Sequence, residues 1–217
     1  MGVSLFIRPE TLSKYVLLLL FLADLLFILL HGLFHLHLLP NNLFSLYTDA
    51  GYAEIYQYGK EIFIVACLCL LAARRKQLVY LPWALLFLYI FADDSLRIHE
   101  RLGSVLAQNL NIKPVFGLRS QDLGELGVFT GFGIVLLFFI GAAYISSARH
   151  EKVVSRQLFY RLLALAFFGI FIDGFHVAAP WGQSLWGTLE DGGELLIMSM
   201  ILTYVFSLNM PVSKANG

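Results

Sequence analysis

Residues 78–98 of the chain read LVYLPWALLFLYIFADDSLRI, and this stretch decides the fold. Its first 15 residues, 78–92, carry no charge. As an α-helix they extend about 22 Å, because each residue adds about 1.5 Å, whereas the hydrocarbon core of a bilayer is about 30 Å thick. A membrane-spanning helix must therefore continue through Asp93 and Asp94. The stretch predicts a transmembrane helix with two carboxylates at membrane depth.

The composition of the whole chain is that of a membrane protein. Its 217 residues are 59% hydrophobic and only 14% charged, and the mean hydropathy is +0.75. Charged residues make up about a quarter of a soluble domain. Apolar stretches long enough to cross a membrane occur at 15–39, 52–73, 78–98, 123–145, 158–177 and 189–208. We predict an all-α, six-transmembrane-helix bundle that forms a single integral membrane domain over residues 1–217.

The positions of Lys and Arg predict the orientation of the bundle, because short cytoplasmic loops carry an excess of both. Ten of the 15 basic residues fall on one side of the six-helix arrangement. We therefore expect both termini in the cytoplasm and the other side in the periplasm, exterior or a lumen, as for a protein of a cell inner membrane. The ten are Arg8, Lys14, Arg74, Arg75, Lys76, Arg149, Lys152, Arg156, Arg161 and Lys214.

The net charge of zero hides a separation of charge. The ten cytoplasmic bases share their side with only two acids, which gives +8, whereas the other five bases and thirteen acids give −8. The chain lacks the overall basic charge that nucleic-acid binding requires, so nucleic acid is excluded as a partner. Membrane lipids are the expected surroundings, and the oligomeric state is left open.

Acidic and histidine side chains form a predicted polar layer inside the membrane. Measured from the cytoplasmic end of each helix, they lie about 18–26 Å up. A charged side chain at a helix centre costs about 2.5–3.5 kcal/mol on the insertion scale, so these groups are expected to converge and share protons, cations or a metal. The residues at this height are His31, Glu61, Asp93, Asp173, His176 and Glu194.

Helical spacing places further polar groups on the same faces. Glu54, Tyr58 and Glu61 stand at i, i+4 and i+7, which is one face of a helix. Asp24, His31 and His35 follow a similar stripe, at i, i+7 and i+11. The predicted polar layer around the site therefore also contains Asp24, His31, His35, Glu54, Tyr58 and Asp94.

Carboxylates combined with imidazoles, without thiolates, are typical ligands of Zn, Mn or Fe. Asp173 and His176 have the i, i+3 spacing that di-metal carboxylate bundles use. We expect a divalent metal cofactor, with the number of ions left open, and Glu61 or Glu190 as general base. The predicted metal ligands are Asp93, His99, Glu100, Asp173, His176 and Glu194.

The sequence favours a metal-dependent membrane enzyme, a hydrolase or an oxidoreductase, with a lipid or amphiphilic substrate. Few polar groups lie below the acidic layer, so the cavity is expected to open on one side only. A cation or proton transporter that uses Asp24 as its relay is one alternative. A non-catalytic subunit of a membrane complex is another.

A purely structural role for the acids is the remaining alternative. Carboxylates at the N-terminal ends of inward-running helices favour the helix dipole without any further function. Arg97 and Arg101 can likewise serve as counter-ions in a salt-bridge layer. The acids at such helix ends are Glu54, Asp122, Glu125, Glu190 and Asp191.

Overall fold

The computed structural model describes residues 9–179 and 181–211, and over these residues the chain is all-α, without a β-strand. The all-α prediction is confirmed. Arg8 and Lys214, which contribute to the predicted orientation, lie outside the described residues. The helices in chain order are α1 (Pro9–His35), α2 (Tyr52–Arg75), α3 (Tyr80–Leu96), α4 (Ile98–Asn109), α5 (Ser120–Ile145), α6 (Arg149–Ala166), α7 (Asp173–Ala178) and α8 (Gln183–Leu208).

Five helical segments within the described residues are long and apolar enough to cross a membrane. They are α1, α2, α5, α8 and the continuous segment Arg149–Ala178, which contains α6 and α7. The helix α3 has 17 residues and is shorter, at about 26 Å. The five segments are compatible with an integral multi-pass membrane protein, whereas the sixth span and the sidedness of the termini stay predictions.

The outer surface of the helices is apolar. Leu19, Phe63 and Phe138 are each 64–69% exposed, on three different helices. Soluble monomers rarely expose continuous apolar surfaces of this kind, whereas a lipid bilayer covers them. The surface therefore agrees with the hydropathy of the sequence.

The two ends of the bundle differ in charge. We call the end that carries Glu54, Asp94 and Glu190 the acidic end, and the end that carries Arg75 and the last turn of α8 the basic end. Arg75 Nη2 donates to the carbonyl oxygen of Leu208 at 3.1 Å, which ties α2 to the end of α8. Towards this basic end the bundle interior is filled by a core of apolar side chains, among them Leu68, Trp83, Phe87, Leu158 and Ile201.

A sharp break after α3 brings α4 back against α5. Arg97 adopts a left-handed conformation with φ 52°, which ends α3 and starts α4. The predicted spans 78–98 and 123–145 leave the chain between them unassigned, whereas helix α4 occupies Ile98–Asn109. Gly103 and Gly124 allow α4 and α5 to touch, since a Cβ on Gly124 would collide with the carbonyl of Gly103.

The chain does not form one regular helix over 158–177. Between α6 and α7 it adopts a π-helical segment, Phe167–Ile172. Gly169 in this segment lies against Glu194 of α8, and a Cβ on Gly169 would collide with the carboxylate. The π-helical segment therefore sets the approach of α7 and its polar side chains to α8, a feature that often accompanies functional sites.

Candidate metal centre

Asp173, His176 and Glu190 converge on one point at the acidic end. Each offers one ligand atom, and the three atoms all lie within 4.8 Å of one another. Asp173 and His176 are one turn apart on α7, whereas Glu190 comes from α8. All three side chains are half-buried. Two carboxylates and one imidazole form a ligand set suited to a divalent metal ion. We call these three residues the triad.

The imidazole of His176 is held in place by its surroundings. Its Nδ1 lies 2.9 Å from Glu190 Oε2. A Cβ on Gly187 would lie 3.0 Å from His176 Cε1, so glycine at this position leaves room for the ring. Gln183 Nε2 donates to the carbonyl of His176 at 3.0 Å and fixes the end of α7 on α8. The orientation of the ring towards Glu190 is therefore built into the packing of the two helices.

A cavity of about 220 Å³ lies beside the triad at the acidic end. Five of the predicted polar-layer and metal residues line it: Glu54, Asp94, His99, Glu100 and Glu194. Asp49, at its rim, has a 62% exposed side chain, so the cavity reaches the surface. The electrostatic neighbours of Glu194 include Asp173, Glu190 and Asp191, which makes the cavity and the triad one acidic region.

Asp93 and His99 form a separate pair. His99 Nδ1 lies 2.9 Å from Asp93 Oδ2, and the backbone N–H of His99 donates to Asp93 Oδ1 at 2.8 Å. Both oxygens of this buried carboxylate are therefore engaged, and they cap the start of α4. The Asp93 carboxylate raises the pKa of His99 by accepting its hydrogen bond. The structure does not bring Asp93 into the triad, although His99 is an electrostatic neighbour of Asp173.

Glu100 and Glu54 have local partners. The carboxylate of Glu100 lies 4.0 Å from Arg97 Nη1. The carboxylate of Glu54 accepts the backbone N–H of Ala50 just before α2 begins. Both are thus engaged at the ends of helices, in agreement with the structural alternative considered for acids at these positions, while they also line the cavity.

His31 is a structural histidine. The backbone N–H of Leu46 donates to its Nδ1 at 3.0 Å, so this nitrogen carries no proton. In the neutral ring the proton is then on Nε2, which donates to Thr188 Oγ1 at 3.2 Å. Both ring nitrogens are engaged, and His31 joins α1 to α8. His35 stacks edge-on against it, with ring centroids 4.4 Å apart, and is exposed.

Asp24 is paired with a residue that the sequence analysis left without a role. Lys60 Nζ donates to Asp24 Oδ1 at 3.1 Å, and the two side chains are 2% and 0% exposed. The same ammonium donates to Leu195 O at 2.8 Å and to Ser199 Oγ at 3.3 Å. A lysine within a membrane span needs such a partner, because an unpaired charge there is costly. That requirement was the one signal in the sequence for this pair.

Glu61 lies apart from the triad. Its side chain is fully buried on α2, and Asp94 and Glu194 are among its electrostatic neighbours. The hydroxyl of Tyr58, one turn before, donates to the backbone carbonyl of Asp94 at 3.3 Å. Of the two predicted general bases, Glu190 is thus part of the triad and Glu61 belongs to a second group of acids.

Comparison with known proteins gives one family match. Neither the curated proteins nor the solved structures contain a match to the chain. A family model described as "Domain of unknown function (DUF8692)" matches residues 15–208, which cover all the helices from within α1 to the end of α8. The chain therefore belongs to this DUF8692 family.

Proposed function

We propose that the chain is an integral membrane metalloenzyme whose triad of Asp173, His176 and Glu190 binds a divalent Zn, Mn or Fe ion. The observation that carries this proposal is the convergence of three ligand atoms within 4.8 Å of one another. Acids with a purely structural role are expected to pair with bases. In the triad two carboxylates face a single imidazole, so the acids outnumber the bases.

A metal held by three protein ligands keeps a coordination position for water or substrate, as catalytic sites do. The ion would polarise a carbonyl or phosphoryl oxygen, or lower the pKa of bound water. Asp191 lines the adjoining cavity and is placed to accept a proton as general base. This chemistry serves a hydrolase, and a redox-active ion at the same ligands would serve an oxidoreductase.

The surroundings of the triad favour a lipid or another amphiphile as substrate. Phe175 of α7 packs edge-on against Trp186 of α8, with ring centroids 4.6 Å apart, and the exposed Trp181 lies 5.5 Å from Trp186. Aromatic clusters of this kind are typical of the membrane–water interface. A polar headgroup would occupy the acidic cavity while its tails remain in the bilayer.

In this proposal α3 is the sixth span, both termini are cytoplasmic, and the metal centre faces the periplasm, the exterior or a lumen. The basic loops supply the orientation. Enzyme action is favoured over transport because Asp24 is engaged with Lys60, and because fully buried apolar side chains such as Leu68, Phe87 and Ile201 fill the interior below this pair. A transported ion would need a polar route through that core.

Metal content tests the proposal. The chain is purified in detergent, stripped with a chelator, titrated with Zn, Mn or Fe, and analysed for bound metal. We expect stoichiometric binding by the wild type and its loss in Asp173→Asn, His176→Ala and Glu190→Gln. His35→Ala is the matched control, since His35 is exposed at the same end and outside the triad. Absence of uptake by the wild type, or unchanged uptake by all three variants, would contradict the proposal.

A further inference from the structure

Three buried oxygen atoms on α2 have no hydrogen-bond partner among residues 9–179 and 181–211. They are Gln57 Oε1 and both carboxylate oxygens of Glu61. Gln57 is 8% exposed and Glu61 is 0% exposed. The two residues are four apart, so they lie on one face of the helix. A buried polar atom without a partner destabilises the folded state, the more so if it is charged, so a missing ligand is one explanation for these atoms.

Carboxylates from two other helices face the same place. Asp94 of α3 and Glu194 of α8 are electrostatic neighbours of Glu61. Gln57, Asp94 and Glu194 also line the cavity at the acidic end. The amide of Gln57 and the carboxylates of Asp94 and Glu194 therefore share the wall of this cavity, and Glu61 is a neighbour of both carboxylates.

The basic side chains near this group are engaged elsewhere. The ammonium of Lys60 has three N–H groups, and these have three acceptors in Asp24, Leu195 and Ser199. The imidazole of His99 is hydrogen-bonded to Asp93. Arg97, which also lines the cavity, is paired with Asp49 and Glu100. The carboxyl groups of Glu61, Asp94 and Glu194 thus have no hydrogen-bonded basic partner among the described residues.

We propose that Gln57, Glu61, Asp94 and Glu194 form a second cation site, which binds a hard divalent ion of the calcium class. Ca²⁺ takes six to eight oxygen ligands from carboxylates, amide carbonyls and water, in flexible geometry. The group offers oxygen atoms only, whereas the triad includes an imidazole and suits a transition metal. The second site does not depend on the proposed enzyme activity.

A cation at this position would connect three helices. The ligands come from α2, α3 and α8, and the ion would neutralise charge that otherwise repels between them. Binding to the folded state alone raises the apparent stability as the ion concentration rises. Ca²⁺ is therefore expected to raise the thermal midpoint of unfolding.

The test is a Ca²⁺ titration of the full-length chain, stripped with a chelator in detergent, followed by calorimetry and thermal unfolding. We expect Glu61→Gln to weaken Ca²⁺ binding by about tenfold or more and to abolish the rise in the unfolding midpoint. Gln57→Leu removes a ligand without changing charge and is expected to weaken binding too. Glu10→Gln removes the same charge at the exposed start of α1 and is expected to bind like the wild type.

Two further measurements keep the result interpretable. In chelator, Glu61→Gln is expected to unfold at or above the wild-type midpoint, because an amide replaces a buried carboxylate without a partner; this shows that the variant folds. Asp173→Asn is expected to keep Ca²⁺ binding while it loses the transition metal. Absence of Ca²⁺ binding by the wild type, wild-type affinity in Glu61→Gln, or loss of Ca²⁺ binding in Asp173→Asn would overturn the second site.

Discussion

The buried glutamates at the two ends of the bundle have opposite environments. At the basic end, Glu151 is 6% exposed, lies 3.4 Å from Arg75 Nη1 and accepts the hydroxyl of Tyr80. At the acidic end, Glu61 is fully buried, faces Asp94 and Glu194, and neither of its oxygens has a hydrogen-bond partner among the described residues. The carboxylate of Glu151 thus has all its partners within the protein, in Arg75 and Tyr80. In our proposal the arrangement around Glu61, like the triad, is completed by a bound cation.

We infer that the difference separates acids that stabilise the fold from acids that bind a ligand. Replacing an acid of the first kind is expected to lower stability and to leave metal binding intact. Replacing one of the second kind is expected to lower metal binding and to leave the stability of the metal-free chain intact. Variants of paired acids test the first half of this comparison.

The largest effect is expected from Asp24→Asn. It leaves the ammonium of Lys60 buried without its counter-ion, and breaking a buried pair in this way costs about 3–5 kcal/mol. The free energy of unfolding in mixed detergent micelles measures the loss, and metal content is expected to stay at the wild-type level. Wild-type stability combined with loss of metal would instead make Asp24 part of the functional site and favour transport.

A smaller loss is expected from Glu151→Gln. The variant weakens the contacts with Arg75 and Tyr80, but Arg75 is a quarter exposed and water partly replaces its partner. We expect a loss towards the lower end of the range of about 1.5–3 kcal/mol that a hydrogen bond to a charged group contributes, in the same unfolding measurement. Transition-metal and Ca²⁺ binding are expected to be unchanged. Loss of either ion in this variant would show that the two ends do not act separately.

The smallest effect is expected from the Asp93–His99 pair, which is a complete pair at the acidic end. Because Asp93 raises the pKa of His99, the pair contributes full stability below the unfolded-state value of about 6.5, and this contribution is lost as the pH rises through the folded-state pKa. The free energy of unfolding is expected to fall between pH 6 and pH 8 in the wild type. This fall is expected to be absent in His99→Gln. An identical pH profile in both would contradict this role of His99.

The sequence predicted the polar layer from helix length and the charge separation from loop composition. The Asp173–His176 part of the triad followed from the i, i+3 spacing, because this spacing needs nothing beyond a local helix. Glu190 was assigned to a different role, since its distance from His176 depends on the turn between α7 and α8 and on the π-helical segment Phe167–Ile172. No local sequence rule fixes that distance.

The other differences between the sequence predictions and the structure also arise from packing between segments that are distant in the sequence. Lys60 and Asp24 are 36 residues apart, so their pairing depends on how α1 and α2 pack and is not visible in the spacing on either helix. His31 lies on the predicted stripe at the predicted height, yet its two nitrogens are used by Leu46 and Thr188. The height of a side chain within the membrane identifies candidate ligands. Only the packing between helices distinguishes ligands from structural groups.

X-ray absorption spectroscopy at the metal edge tests the central claim most directly. For the wild type loaded with Zn, the account predicts a shell of nitrogen and oxygen atoms at about 2.0–2.2 Å, with one imidazole and no sulfur. The imidazole signal is expected to vanish in His176→Ala and to persist in His99→Gln and His35→Ala. A shell that contains sulfur, or an imidazole signal that survives in His176→Ala, would contradict a metal centre at Asp173, His176 and Glu190.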